Sequence, residues 1–179
     1  MASVRFGNVV SSRGSVFPLF RGQIANGGPV TLTHEEMVRP NIITPNALRL
    51  IMNVGELARG GETFTLKMKV MRIAEVAEVM IRELAPACAY KPEEIEIQLI
   101  VVRPGEKIRE KLMTESEQRR ANETEDTLVV APEMKELSHV QEYYSDLLLR
   151  KEIKTYKHRN PVFVTSAEIK GILNCLGYL

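Results

Sequence analysis

The chain has 179 residues, 44% of them hydrophobic, and 24 Lys plus Arg against 23 Asp plus Glu, so its formal net charge is +1. That length suggests one domain, at ~100–200 residues per domain, with room for a core that needs no disulfide staples. The charge balance argues against a general nucleic-acid binder or a polybasic membrane binder, because neutralising phosphates takes an excess of lysine and arginine.

Taken in chain order, residues 3–10 read as a strand, rich in β-branched and aromatic side chains, followed by the loop Ser11-Ser12-Arg13-Gly14. Ser15 is placed to cap a helix running to about Asn26, with Val16, Phe17, Phe20 and Ile24 at helical spacing and Gly27-Gly28-Pro29 as its stop. Residues 30–33 make a short strand. Thr44-Pro45 starts a second helix, which presents Leu48, Ile51 and Met52 and ends before Gly60-Gly61. Residues 62–67 form another strand. Ile73, Val76, Ala77, Met80, Ile81 and Leu84 then mark the clearest amphipathic helix of the chain, ended by Pro86. Ile95, Ile97, Leu99 and Val101 alternate with Glu96 and Gln98 before a fully apolar run over 99–102, which predicts a strand half buried and then deeply buried. Arg103-Pro104-Gly105 turns into a short basic helical stretch. Thr114-x-x-Glu117 and Thr165-x-x-Glu168 both fit capping boxes, and the second opens a C-terminal helix with Ile169, Ile172, Leu173 and Leu176 inward. Residues 120–160 read as mostly irregular, with one helix near 138–149.

Strands and helices alternate, which argues an α/β fold, taken as one lobe over residues 1–179. The chain begins almost at once in a buried-looking strand with nothing before it. An open strand edge invites pairing, so a missing segment or a partner chain is expected.

Several chemistries lack their residues. No Gly-x-Gly-x-x-Gly run lies between a strand and a helix, no Tyr-x-x-x-Lys pair occurs, and there is no Gly-x-Ser-x-Gly, P-loop or metal-ligand cluster. Cys88 and Cys175 sit in separate segments and read as free thiols of a reducing cytosol. No segment approaches the ~18–20 apolar residues of a membrane span, and the N-terminus has no signal-peptide core. A cytoplasmic protein without membrane or nucleic-acid partners is therefore expected.

Three groups remain as anion-binding candidates. Arg103-Pro104-Gly105-Glu106-Lys107-Ile108-Arg109 puts three cations around a Pro-Gly turn at the end of a strand, where α/β sheets place ligands. An arginine fork there matches a diphosphate. Glu106 pairs with a basic neighbour or holds a sugar hydroxyl. The second is Asn8 within Arg5-Phe6-Gly7-Asn8, a polar side chain in an apolar strand, either buried with hydrogen-bond partners or turn-forming and solvent-facing. The third is Arg39, which reaches a phosphate or pairs with Glu35 or Glu36.

Arg5-Phe6-Gly7-Asn8-Val9-Val10-x-Ser12-Arg13-Gly14-Ser15-Val16-x-Pro18-Leu19-Phe20 closely resembles a segment of the CapD-like polysaccharide-biosynthesis dehydratases. These are UDP-N-acetylglucosamine 4,6-dehydratases of the extended short-chain dehydrogenase/reductase superfamily. The resemblance continues in order through Leu32-Thr33, Met37-x-Arg39, Ile43-Thr44, the helix from Ile73, Arg103-Pro104-Gly105-Glu106-Lys107, Thr114-Glu115-x-Glu117 and Asn160-Pro161-x-Phe163-x-Thr165.

The resemblance implies the C-terminal portion of an extended Rossmann-like fold, its last sheet strands plus a substrate-binding lobe, without the N-terminal dinucleotide-binding half. It implies NADP or NAD for the complete family enzyme and no cofactor bound by this chain alone. The implied substrate is a UDP-sugar, oxidised at C4, dehydrated across C5–C6 and reduced at C6. Asn8 would contact the phosphate or sugar region, Ser15 and residues 16–20 would wall the nucleotide pocket, and Arg39 and Arg103 would bind the diphosphate. Glu106 would lie near the ribose or the turn. No catalytic or metal-binding residue is assigned. The chain departs from the family at Pro40, where relatives usually carry an aromatic residue. The implied partners are a UDP-sugar and either a separate Rossmann-half chain or a second copy paired through an open strand edge. The rival expectation is a non-catalytic nucleotide-sugar-binding or strand-edge interaction module.

Overall fold

A computed structural model describes residues 1–124, 126–133, 154–155 and 160–179. The helix expected near 138–149 lies outside the described residues. The chain groups into two compact units, one of Met1–Gly7, Ile42–Met68 and Lys111–Asn160, the other of Asn8–Asn41, Lys69–Glu110 and Pro161–Leu179.

The first unit is a mixed sheet with a helix. Its strands are β1 (Ser3–Arg5), β5 (Thr63–Leu66), β8 (Ala121–Glu123), β9 (Thr127–Val130) and β10 (Lys154–Thr155), in the order β1-β5-β9-β8-β10. β1 runs parallel to β5, with Val4 opposite Phe64, and every other pairing is antiparallel. Helix α2 (Thr44–Leu57) lies against β5 and buries Leu50, Val54 and Leu57. Met113, Ala121, Leu128 and Val130 form a further buried cluster.

The second unit is built around helix α3 (Ile73–Leu84), which packs on α1 (Val16–Ala25) and α5 (Ser166–Cys175). The expected periodicity of α3 is what buries it. Ile73, Val76, Ala77, Met80, Ile81 and Leu84 all lie inside, beside Phe17, Phe20 and Ile24 of α1 and Ile169 and Leu173 of α5. Two small sheets flank these helices: β2 (Asn8–Val9), β4 (Val38–Ile42) and β6 (Val70–Arg72) in that order, and β3 (Val30–Leu32) parallel to β7 (Ile97–Leu99). Both capping boxes form. The Thr114 and Thr165 hydroxyls accept from the Glu117 and Glu168 N–H groups, opening α4 (Glu115–Arg119) and α5.

The architecture is α/β, as expected, but several local readings change. Residues 3–10 are not one strand: the ladder breaks at Phe6-Gly7, and β1 and β2 belong to different sheets. A glycine inside a strand pattern marks such a break. The α2 stripe Leu48, Ile51 and Met52 is 59%, 48% and 74% exposed. That helix has apolar side chains on more than one face, and the sheet covers only the stripe of Leu50, Val54 and Leu57. Thr44 is the first helical residue and its hydroxyl caps nothing; Ile43 holds the cap position. Ser15 holds the cap position of α1, also without a side-chain cap bond. Leu99, Ile100 and Val101 are exposed rather than deeply buried, since among the described residues β7 pairs with β3 alone. The stretch after Gly105 is not helical. It is a turn that leads to a parallel bridge between Val38 and Arg109. Within 120–160, where irregular chain was expected, β8 and β9 are regular strands.

Candidate functional site

The candidate residues gather in the second unit, where the chain after β7 returns along β4. Gly105, at φ 83°, lets the Pro-Gly turn reverse direction. Glu106 then closes the turn: its N–H donates to Arg103 O at 3.0 Å, and its Oε2 accepts from the Arg103 N–H at 3.3 Å. Glu106 Oε1 also accepts from the Thr33 hydroxyl at 3.2 Å, which ties the turn to the end of β3. Beyond the turn, Val38 N–H donates to Ile108 O at 3.0 Å.

Arg39 comes from β4 and is only 9% exposed. Its NH1 donates to Val38 O at 2.9 Å and to Ile108 O at 3.1 Å. Its NH2 lies 3.8 Å from Glu106 and its Nε 3.6 Å from Glu110. Arg39 thus pairs with carboxylates on the 103–110 segment and not with Glu35 or Glu36. A buried charge needs such compensation, because its desolvation otherwise costs on the order of several kcal/mol.

Asn8 opens β2 and is exposed, not buried. The amide orientation that satisfies both of its ends has Nδ2 donating to Glu110 Oε2 at 3.0 Å and to Pro40 O at 3.3 Å. Asn8, Arg39 and Glu106 are therefore brought together, with Glu110 and Thr33 between them. Arg103 stands on the same turn with its side chain exposed. Ser15 is not part of this group. It heads α1, and its Oγ is buried without a hydrogen-bond partner.

Arg5, close to Asn8 in sequence, is taken up elsewhere. In the first unit it donates to Leu112 O at 2.6 Å and forks across Glu117 at 2.9 and 3.0 Å. On sequence grounds Glu110 has no place in the site, and Thr33 is named only as part of the Leu32-Thr33 element. Neither carries a spacing signal, and each matters only because β3, β4 and the 103–110 segment run side by side.

The site brings together the exposed Arg103 on a hydrogen-bonded turn, the buried Arg39 facing two carboxylates, and the Asn8 amide. Among the described residues no group of three or more His, Cys, Asp or Glu side chains is placed to hold a metal ion. No described helix is long and apolar enough to cross a membrane.

The fold defines the class first: a mixed α/β architecture. The chain belongs to the polysaccharide biosynthesis protein family, whose model matches residues 1–132. It is 44% identical over 176 residues to a Methanocaldococcus jannaschii protein described as an uncharacterized membrane protein, covering 98% of this chain and 50% of that one. It is 28% identical over 177 residues to a Campylobacter jejuni UDP-N-acetylglucosamine 4,6-dehydratase (inverting), covering 95% and 50%. The X-ray structure of Pen from Bacillus thuringiensis superposes with a TM-score of 0.82 at 33% identity, covering all of this chain and 50% of that one. The chain thus spans about half the length of these relatives.

Proposed function

We propose that the chain is the nucleotide-sugar-binding part of a UDP-N-acetylglucosamine-type 4,6-dehydratase of polysaccharide biosynthesis. The observation that carries this reading is the Arg103 turn. Glu106, Thr33 and the Val38–Arg109 bridge hold its backbone, while the Arg103 guanidinium stays exposed. Holding the backbone spares the entropy of ordering the loop, while the guanidinium's own rotamers are fixed only on meeting a phosphate. Asn8 adds a hydrogen-bond donor and Arg39 adds buried positive charge. Ser15, with its free hydroxyl oxygen, would belong to the nucleotide wall.

NAD or NADP supplies hydride chemistry to such dehydratases, and the residues present do not fit it. A dinucleotide cradle needs glycines between a strand and a helix. Here the junction before α1 holds one glycine, and those before α2 and α3 hold none. The reaction would then require a second polypeptide or segment carrying the cofactor. The free thiols Cys88 and Cys175 fit a reducing, cytoplasmic setting.

A second reading, an interaction module, is favoured by the exposed α2 stripe of Leu48, Ile51 and Met52. Calorimetric titration of UDP-N-acetylglucosamine into wild type and Arg103→Ala separates the two. Binding that falls at least about tenfold in the variant supports the first reading. No binding by wild type overturns it, and equal binding by both removes the diphosphate role of Arg103.

A further inference from the structure

We propose that Glu110 is an internal counter-anion, holding the groups that phosphate oxygens take over and swinging out when an anionic ligand arrives. The proposal rests on the anion-site reading above and deepens it. The Glu110 carboxylate spans two donors. Oε2 accepts from Asn8 Nδ2 at 3.0 Å, and Oε1 faces Arg39 Nε at 3.6 Å. Two oxygens of one phosphate can address such a pair in the same way.

Two features make this contact displaceable. Arg39 is buried, yet its Nε and NH2 meet carboxylates only at 3.6 and 3.8 Å, beyond hydrogen-bond length. A guanidinium whose side chain is 11% exposed and whose carboxylate partners stand this far off leaves room for an anion able to come closer. Glu110 is also the more accessible of its two counter-charges, with a side chain 42% exposed against 24% for Glu106. Glu106 is tied down by the Thr33 hydroxyl and the Arg103 N–H, whereas Glu110 has no such backbone anchor among its described contacts. When Glu110 leaves, Arg39 keeps Glu106 and two carbonyls, so the buried charge is not stranded.

Glu110 would therefore lower affinity for every anion equally and keep the site from retaining loose phosphate. The test is calorimetric titration of inorganic pyrophosphate, UDP and UDP-N-acetylglucosamine into wild type, Glu110→Gln and Glu110→Ala. A parallel NMR titration follows the Asn8 side-chain amide. Both variants should bind pyrophosphate and UDP about three- to tenfold tighter, the scale of one close charge contact in partly exposed surroundings. The Asn8 amide signals should shift on pyrophosphate addition to wild type. Unchanged or weaker binding in Glu110→Gln overturns the proposal, as does an Asn8 amide that ignores pyrophosphate or the absence of any anion binding. Tighter pyrophosphate binding in the variants, with UDP-N-acetylglucosamine bound by none, leaves Glu110 as counter-anion and removes the nucleotide-sugar reading alone.

Discussion

Glu106 grips the backbone of Arg103 from both sides, accepting from its N–H at 3.3 Å and donating to its carbonyl at 3.0 Å. The acid of the Arg-Pro-Gly-Glu run thus shapes the loop that presents the arginine. Its third contact, the Thr33 hydroxyl, sets where that loop lies against β3.

Removing this grip should loosen the turn before it touches the core. Glu106→Ala should cost about 1 kcal/mol, the scale of one partly buried and one exposed hydrogen bond lost. It should also weaken UDP-sugar binding more than Glu106→Gln, which keeps an oxygen acceptor. Urea midpoints and calorimetric affinities for the two variants check this together.

Gly105 and Gly61 separate conformational strain from collision. Both have positive φ, 83° and 89°. A Cβ on Gly105 meets nothing within 4 Å, whereas one on Gly61 comes 2.8 Å from Pro132 Cγ. Gly105→Ala should cost about 1–2 kcal/mol through its backbone alone. Gly61→Ala should cost more, because Pro132 must also move. Thermal melts of the two variants give the order.

Glu117 should give the chain part of its acid sensitivity. The Arg5 fork, then the Thr114 N–H, hold its carboxyl down at about 2 from the usual 4.5, against the opposing effect of burial. A carboxyl whose folded pKa is depressed contributes stability that is complete above its unfolded pKa and lost as pH falls through the folded one. The window here runs from 4.5 down to about 2. Arg5 is 39% exposed, so solvent screening reduces the contribution to about 1 kcal/mol. Glu117→Gln should be destabilised by about that amount at pH 7, and the gap to wild type should close across this window. Denaturant titrations at stepped pH test it.

The two stripes of α2 should respond differently. Leu50 is fully buried, and Leu50→Ala should cost about 2–5 kcal/mol. Met52 is 74% exposed, and Met52→Lys should move stability by no more than about 0.5 kcal/mol. Analytical ultracentrifugation of Met52→Lys then reads whether that stripe supports self-association. An unchanged sedimentation profile removes the stripe from any dimer contact.

The helices were the most legible part of the sequence. Ile73 through Leu84 repeat at helical spacing, and Thr165-x-x-Glu168 is a local hydrogen-bond pattern, so short-range geometry decides both. Arg103, Glu106 and Asn8 were legible as candidates because a charged Pro-Gly turn and a polar residue in an apolar strand stand out locally. Glu110 was not, since its partners Asn8 and Arg39 lie far away in sequence, on β2 and β4.

What the sequence determined alone was therefore what neighbours in the chain decide: helix spans, the two capping boxes, the glycine-bearing turn and the near-neutral charge. Tertiary structure decided which of two apolar stripes on α2 is covered, since amphipathic spacing names a face but not what packs on it. It also split residues 3–10 between two sheets, because strand pairing is a long-range choice. And it surrounded Arg39 with Glu106 and Glu110, so an arginine read as a phosphate ligand or a partner of Glu35 or Glu36 is a buried charge already in other company.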